Sequence, residues 1–439
     1  MVEKFDCVVV GAGPAGVAAA MTAARAGLKV LQIERGDFAG SKNMFGGIVF
    51  RHAIEDLVGP NFWVTEPGRP PHVERYIVNY QYWFLTKGSH VAFSHRTESF
   101  EQNYNAFSAL RARFDPWFAR KAEQAGVTLV TKTTATEVLK HDGKIVGVKT
   151  DRGDVYGDIT IAADGANSLL AKQAGLHGEL RPEDVALGVK ETIALPREKI
   201  EARFNLREDQ GTAMVLIGYP LPGMGTGFLY TNKDTISFGI GVVLSHLAEG
   251  RNYKDHLALP NTLLENLKTH PSIKPLLEGG ATREYTAHMI PEGGYKMVPP
   301  LYADGFLVVG DAAMLVNAFN FEGTNLAMTS GKLAGQTVAE AKKLNDFSAK
   351  ALARYQKYLE ESYVLKDLKR FRKVPTYFSR NKHFFEDYPE VLNEALHIWH
   401  TVDGRPKNET ISEMKNAIWK RTGKLRLARD LYALWRNIL

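Results

Sequence analysis

The chain has 439 residues, 44% of them hydrophobic and 24% charged, which is enough for two or three domains with sizeable cores and excludes a fibrous or disordered protein. A single cysteine, Cys7, excludes a disulfide within the chain and an iron–sulfur cluster held by its thiolates alone. The formal net charge of +6 matches the excess of nine Lys and Arg over three Asp and Glu between Arg405 and Leu439. No nucleic-acid motif accompanies these cations, so an acidic partner or an anionic membrane surface is expected rather than nucleic acid.

Cys7–Val10 reads as an apolar strand, Gly11–Gly16 as a glycine turn, the alanine-rich stretch that follows as a helix, and Lys29–Ile33 as a second strand ending in Glu34. Gly11 permits the tight turn, Gly13 lets the backbone approach a pyrophosphate, and Gly16 lets helix and strand pack closely. The start of the helix, at Pro14 and Ala15, offers free amides from Ala15 onward and a partial positive charge to phosphates. Glu34 can accept both hydroxyls of an adenosine ribose and opposes a phosphate on them, so FAD rather than NADP is the expected ligand, with Arg35 alongside.

Gly36–Phe50 is glycine-rich and is expected as a loop near the cofactor; it carries Ser41, Lys42 and Asn43, with Gly40, Gly46 and Gly47 as positive-φ positions. Tyr76–Leu85 alternates, which puts Tyr76, Val78, Tyr80, Tyr82 and Phe84 on one strand face as an aromatic wall. Ala109–Gly126 has helical spacing and is opened by Arg111. Val127–Val148 holds short strands around an Asp142-Gly143 hairpin turn. The strand Ile159–Ala162 runs into Asp164-Gly165, with Ser168 three residues on. Val185–Ile290 reads as a sheet-based substrate domain with strands at Gly227–Thr231 and Thr235–Val243. The strand Gly305–Val309 leads into Gly310-Asp311, and a long helix, Gly323–Leu344, begins near Thr324. The remainder is helical. The first strand begins within a few residues of Met1 and no run of 18 apolar residues exists to span a bilayer, so a cytoplasmic location is expected.

Taken singly, the Asp164-Gly165 and Gly310-Asp311 turns serve as helix caps about half the time. With the opening motif, in this order, they resemble the flavoprotein group that includes para-hydroxybenzoate hydroxylase and the geranylgeranyl reductases. The resemblance implies an α/β fold: a Rossmann-like FAD-binding domain of the hydroxylase type, an inserted β-sheet substrate domain of α+β character, and a C-terminal helical region. The corresponding boundaries are 1–75, 101–184 and 291–345 for FAD, 76–100 and 185–290 for the substrate, and 346–439 for the helices. It also implies that Gly310-Asp311 holds the ribityl chain. The helix after Gly323, Thr324 and Asn325 would aim its N-terminus at the flavin N1 and C2 carbonyl, while Arg111, Ala135, Asp164, Gly165 and Ser168 complete the expected cofactor contacts.

A narrower resemblance rests on His270–Pro275, Leu277–Gly280, Pro291–Gly294 and Gly227–Tyr230, with Ser41-Lys42-Asn43 and Thr231-Asn232-Lys233. These are similar to electron-transfer flavoprotein:quinone oxidoreductase and its bacterial relative, the FixC family. That resemblance implies electron transfer from the α and β subunits of an electron-transfer flavoprotein, through FAD, to a membrane quinone. The quinone would lie at Gly227 and Phe228, and Thr226 stands where the family has a second glycine. The cluster-bearing cysteines of the long form are missing here, which implies a separate ferredoxin-like iron–sulfur subunit of the FixX type. No catalytic nucleophile, base or metal is expected. The protein would be peripheral on the inner face of the cell membrane, touching lipid near Tyr82-Trp83-Phe84 or between Tyr377 and Phe385. Whether such a complex bifurcates electrons, and which quinone it uses, is not written in these residues. The alternatives are a geranylgeranyl reductase-type isoprenoid reductase, although Tyr230–Asp234 lacks that group's Trp and Pro; a monooxygenase, against which Met314 stands after the Gly-Asp turn; and a non-catalytic flavin-bearing assembly subunit.

Overall fold

The computed structural model describes residues 4–42, 46–69, 71–249 and 259–438. The chain forms two compact units, Met1–Glu74, Asn105–Val185 and Met289–Arg372 making one, and Arg75–Tyr104, Ala186–His288 and Lys373–Leu439 the other.

The first unit is built on a parallel sheet in the order Thr128–Val130, Val30–Ile33, Lys4–Val10, Gly153–Ala162, Phe306–Val308. Its strands are apolar runs rather than alternating ones because both faces are covered: Val8, Val9, Ile159, Ile161 and Leu307 have no exposed surface. The hairpin Ala135–His141/Lys144–Thr150 extends this sheet. It turns on Asp142 and Gly143, both at positive φ (49° and 81°), as a two-residue turn matched to strand twist requires. The helices Pro14–Arg25 and Thr324–Leu344 cross at very short range. A Cβ on Gly331 would lie 2.0 Å from the Ala15 carbonyl oxygen, and one on Gly335 2.6 Å from that of Ala19. That approach fixes where both helices begin. The expected loop at Gly46–Gly47 is instead the strand Gly46–Phe50, paired antiparallel with Ala106–Leu110. Gly40 has the positive φ expected of the segment, 87°; the strand's partner is distant in sequence, so local composition carried no sign of it.

The second unit is a mainly antiparallel sheet in the order Ala281–Pro291, Val185–Ala194, Thr235–Val243, Thr226–Thr231, Gln210–Gly218, Arg75–Leu85, with His90–Arg96 beyond. One face carries the helices Arg197–Phe204, Pro260–Lys268 and Lys274–Leu277, and the core lies between: Ile200, Phe204, Leu264, Leu267 and Ile273 against Met214, Leu216, Leu229 and Ile240. The helices after residue 345 are divided. Ala349–Leu352, Arg354–Glu361 and Tyr363–Arg370 belong to the first unit, and Val374–Arg380, Asp387–His400, Lys407–Thr422 and Lys424–Ile438 to the second.

Candidate functional site

At the carboxyl ends of the parallel strands, three turns converge. Gly11, at φ 108°, leaves no room for a side chain: a Cβ there would sit 2.2 Å from the Ala163 carbonyl oxygen, and one on Gly16 would sit 2.0 Å from that of Gly11. Gly13 precedes the helix Pro14–Arg25 and no side chain caps it. Its first-turn amides therefore face outward with the positive end of the dipole, a ready anion site. Glu34 closes this turn in a way the sequence does not announce. One carboxylate oxygen accepts the Ala12 N–H at 2.9 Å and the other the Gly36 N–H at 2.7 Å. Each oxygen keeps a lone pair for a further donor such as a ribose hydroxyl.

Beside Glu34, the Ser41 hydroxyl is buried without a partner among the described residues. Arg35 and Lys42 are exposed, and Asn43 lies outside the described residues. Arg111 stands over the turn, one guanidinium nitrogen 3.5 Å from where a Cβ on Gly13 would be. It is held by a two-pronged bond to Asp115 at 2.5 and 2.6 Å. Asp115, almost wholly buried, was missed; its place one helical turn after Arg111 was the available signal. Ala135 opens its strand two residues past Thr133, whose N–H donates to the Glu34 carbonyl at 3.0 Å.

The second turn does different work. The Asp164 carboxylate accepts the Ser168 hydroxyl at 2.5 Å and the Leu170 N–H at 3.3 Å, and Ser168 in turn accepts the Ala171 N–H at 3.0 Å. Both side chains thus cap the helix Leu169–Gln173. Burial pushes the Asp164 carboxyl up against these bonds, which favour its charged form. Gly165, at φ 84°, makes the bend.

At the third turn Gly310, φ 59°, donates its N–H to the Ser330 hydroxyl at 3.0 Å, and a Cβ there would touch that of Ala15 at 2.7 Å. Asp311 follows at the strand's end. The helix Thr324–Leu344 starts after Gly323, again with no side-chain cap. Near its start the Asn325 side-chain oxygen and the Asn317 side-chain nitrogen are buried without partners. Tyr363 steadies this end by donating to the Asn325 carbonyl at 3.1 Å. Two uncapped helix starts, three orphaned polar atoms and turns too tight for any side chain form a set that FAD fits: a pyrophosphate for the amides, hydroxyls for Glu34, and ring carbonyls for the second helix.

Glu292, in the Pro291–Gly294 turn, has its carboxyl pushed up to about 8 by burial. A raised folded-state value means the folded chain holds this proton more tightly than the unfolded one. Stability is therefore complete below the ordinary value of 4.5 and declines as pH rises towards 8. Urea unfolding of the wild type should lose roughly 2–4 kcal/mol across that window, less than the full shift because the residue keeps some exposed surface. Glu292→Gln should flatten the profile; an unchanged slope in that variant would place the titration elsewhere.

In the second unit, Gly227 faces the helix-covered side, where a Cβ would lie 2.7 Å from Leu267 and 3.1 Å from Leu216. Its smallness serves helix-on-sheet packing. Phe228, next along the strand, is on the opposite face. There it registers through Val215 with Tyr82, and Tyr230 registers through Ala213 with Tyr80. Phe228 and Tyr230 stack at 5.2 Å. The expected aromatic wall therefore exists, but without Val78. A bulge between Gly211 and Thr212 turns that residue into the core. Tyr377, Phe378, Phe384 and Tyr388 pack edge-to-face on one another, which leaves the segment from 377 to 385 half-buried rather than presented to lipid. Among the described residues no helix is long and apolar enough to cross a membrane.

The model of the FAD dependent oxidoreductase family matches residues 6–185, and that of the ETF-QO/FixC family C-terminal domain matches residues 374–439. The FixC protein of Azorhizobium caulinodans is 46% identical over 93% of this chain and 92% of its own length. A probable electron transfer flavoprotein-quinone oxidoreductase of Escherichia coli is 40% identical over 98% and 97%. Among solved structures, a geranylgeranyl bacteriochlorophyll reductase-like protein from Thermoplasma acidophilum superposes with a TM-score of 0.73 at 22% identity, over 99% of this chain and 100% of that one, a likeness of fold. With nearly its whole length matched at these identities, the chain belongs to the ETF-QO/FixC family of FAD-dependent oxidoreductases.

Proposed function

We propose that this protein takes electrons from an electron-transfer flavoprotein through FAD and delivers them to a membrane quinone, working beside a separate ferredoxin-like iron–sulfur subunit. The observation that carries this reading is the near-full-length match to the probable electron transfer flavoprotein-quinone oxidoreductase, joined to a cofactor cradle that needs no acid–base residue. Bound FAD supplies the electron chemistry. Gly11, Gly13, Pro14, Ala15 and Gly16 would hold its pyrophosphate by backbone, with Arg111 adding positive charge. Glu34 and Ser41 would take the ribose, Gly310 and Asp311 the ribityl chain, and the amides after Gly323, with Thr324 and Asn325, the ring carbonyls. Asp164, Gly165 and Ser168 would shape the strand end, the two side chains by capping the helix beside it.

The aromatic face of Tyr82, Phe228 and Tyr230 supports a quinone, whose flat head and isoprenoid tail suit stacking and apolar contact. Gly227 would contribute by letting that strand pack rather than by touching the head group. The lone cysteine, buried in the first strand with its thiol pushed up by that burial, supports a cluster on another subunit. The isoprenoid-reductase alternative has only the likeness of fold behind it.

Stopped-flow mixing with reduced electron-transfer flavoprotein should bleach the bound flavin, and a short-chain soluble quinone should restore its colour. Flavin that is bleached but not restored by quinone would overturn the quinone assignment; flavin that never bleaches would overturn the donor.

A further inference from the structure

The helix Lys424–Ile438 turns Asp430 and the half-buried Leu427 and Leu434 inward, yet it also exposes an apolar stripe that a helix of a soluble surface would not carry. Its inward residues include Asp430, 1% exposed, whose carboxylate accepts Tyr388 at 2.6 Å and Tyr377 at 3.1 Å and pairs with His383 at 2.6 Å. Arg426 also points inward, paired with Asp387 at 3.1 Å and bonded to the Thr422 carbonyl. These polar anchors fix the helix about its own axis. Outward stand Leu425 at 89% exposure, Leu431 at 59%, Tyr432 at 57% and Trp435 at 62%, a stripe at helical spacing. An ordinary surface helix turns polar residues outward and leaves no such stripe in solvent. Large exposed apolar faces mark a binding surface.

The charge around the stripe narrows the occupant. Lys424 and Arg436, adjoining Leu425 and Trp435 on the same helix, and Lys420 just before it are exposed and have no carboxylate partner among the described residues. Uncompensated cations beside Trp, Tyr and Leu form the composition that settles at the headgroup boundary of an anionic bilayer: rings at the interface, aliphatic groups just beneath, ammonium and guanidinium groups on the phosphates. The segment from 377 to 385, which the sequence also offers for this role, spends its aromatic rings on one another.

We propose that the outward face of Lys424–Ile438 is a lipid-binding surface that seats this protein on an anionic membrane, deepening the quinone reading by naming the element that brings the protein to its lipid substrate. The contact itself requires no electron transfer, so the two readings fail separately.

The test uses full-length holoprotein and vesicles of phosphatidylcholine with or without phosphatidylglycerol. Wild type should co-sediment with the anionic vesicles and bind neutral ones, or anionic ones in high salt, at least about tenfold more weakly. Leu425→Ser combined with Trp435→Ser should lose at least about tenfold in vesicle binding, while the melting temperature and flavin reoxidation by soluble quinone stay unchanged, because both residues are exposed. Lys420→Gln with Lys424→Gln and Arg436→Gln should remove the preference for anionic lipid, which checks the charge arm without touching the apolar stripe. Binding of the double variant within twofold of wild type would overturn the proposal. So would a wild type that ignores vesicles, including one that uses this stripe to dimerise, as light scattering would reveal. A protein that binds vesicles as described but is not reoxidised by quinone would sink the quinone reading and leave this one standing.

Discussion

Gly11→Ala should purify with little or no flavin. The position holds φ 108°, and the added Cβ would meet the Ala163 carbonyl oxygen at 2.2 Å with that carbonyl's carbon at 2.8 Å. Both neighbours are backbone at the end of a central strand, so neither can rotate away. A left-handed conformation forced on alanine and an overpacked contact together cost at least about 3 kcal/mol. Relief can come only by opening the turn, which moves the Ala12 amide away from Glu34 and spoils the helix start proposed to hold the phosphates. FAD affinity should fall at least about a hundredfold, because ~2.7 kcal/mol is worth two decades. Flavin absorbance per mole of protein checks this directly; wild-type flavin content in the variant would mean that the turn does not form the cradle.

The second large effect is expected at Asp430→Ala. This carboxylate is buried, receives two phenolic hydroxyls and an imidazole, and pairs with the exposed Arg429 at 3.2 Å. Removing it leaves the two phenols and the imidazole facing one another across a small void, and breaking a buried, paired charge costs about 3–5 kcal/mol. Urea unfolding followed through the helical signal should show the loss, with the last helix released first. Burial pushes this carboxyl up, but the hydrogen bonds from Tyr388 and His383 outweigh it and hold it below its ordinary value of 3.8. A depressed carboxylate contributes stability above its ordinary value and loses it as pH falls through the folded one, so the contribution should be intact at neutral pH and decline only once pH falls below 3.8. A variant as stable as wild type at neutral pH would refute the anchoring role.

The opening βαβ unit was legible because each of its demands is local. Gly11, Gly16 and Glu34 sit within one supersecondary element whose spacing is fixed by strand rise and helix pitch, and the structure keeps all three in contact. The turns at Asp164 and Gly310 could be placed at strand ends but not assigned roles. Asp164 proves to cap the helix beside it, and only coordinates distinguish a carboxylate turned inward from one turned to a ligand. What escaped the sequence was whatever depended on distant partners. Gly46–Phe50 is a strand only because Ala106–Leu110 lies beside it. Gly331 and Gly335 look like ordinary interior helix glycines until the first helix is laid against them. Gly227 drew attention by family resemblance, yet the space beside it is filled by Leu267. The C-terminal charge was visible from composition, whereas the outward stripe of Leu425, Tyr432 and Trp435 needed the position of Asp430.

The most direct test of the cradle is a comparative titration of the deflavinated protein with FAD and with FMN. The two share the isoalloxazine ring, the ribityl chain and one phosphate, and differ in the adenosine half that Glu34 and the first helix start are proposed to hold. FAD should bind one per chain and more tightly than FMN by at least about a hundredfold, or ~2.7 kcal/mol. Equal affinity for the two would contradict the account, since the converging glycine turns would then contribute nothing to holding the cofactor.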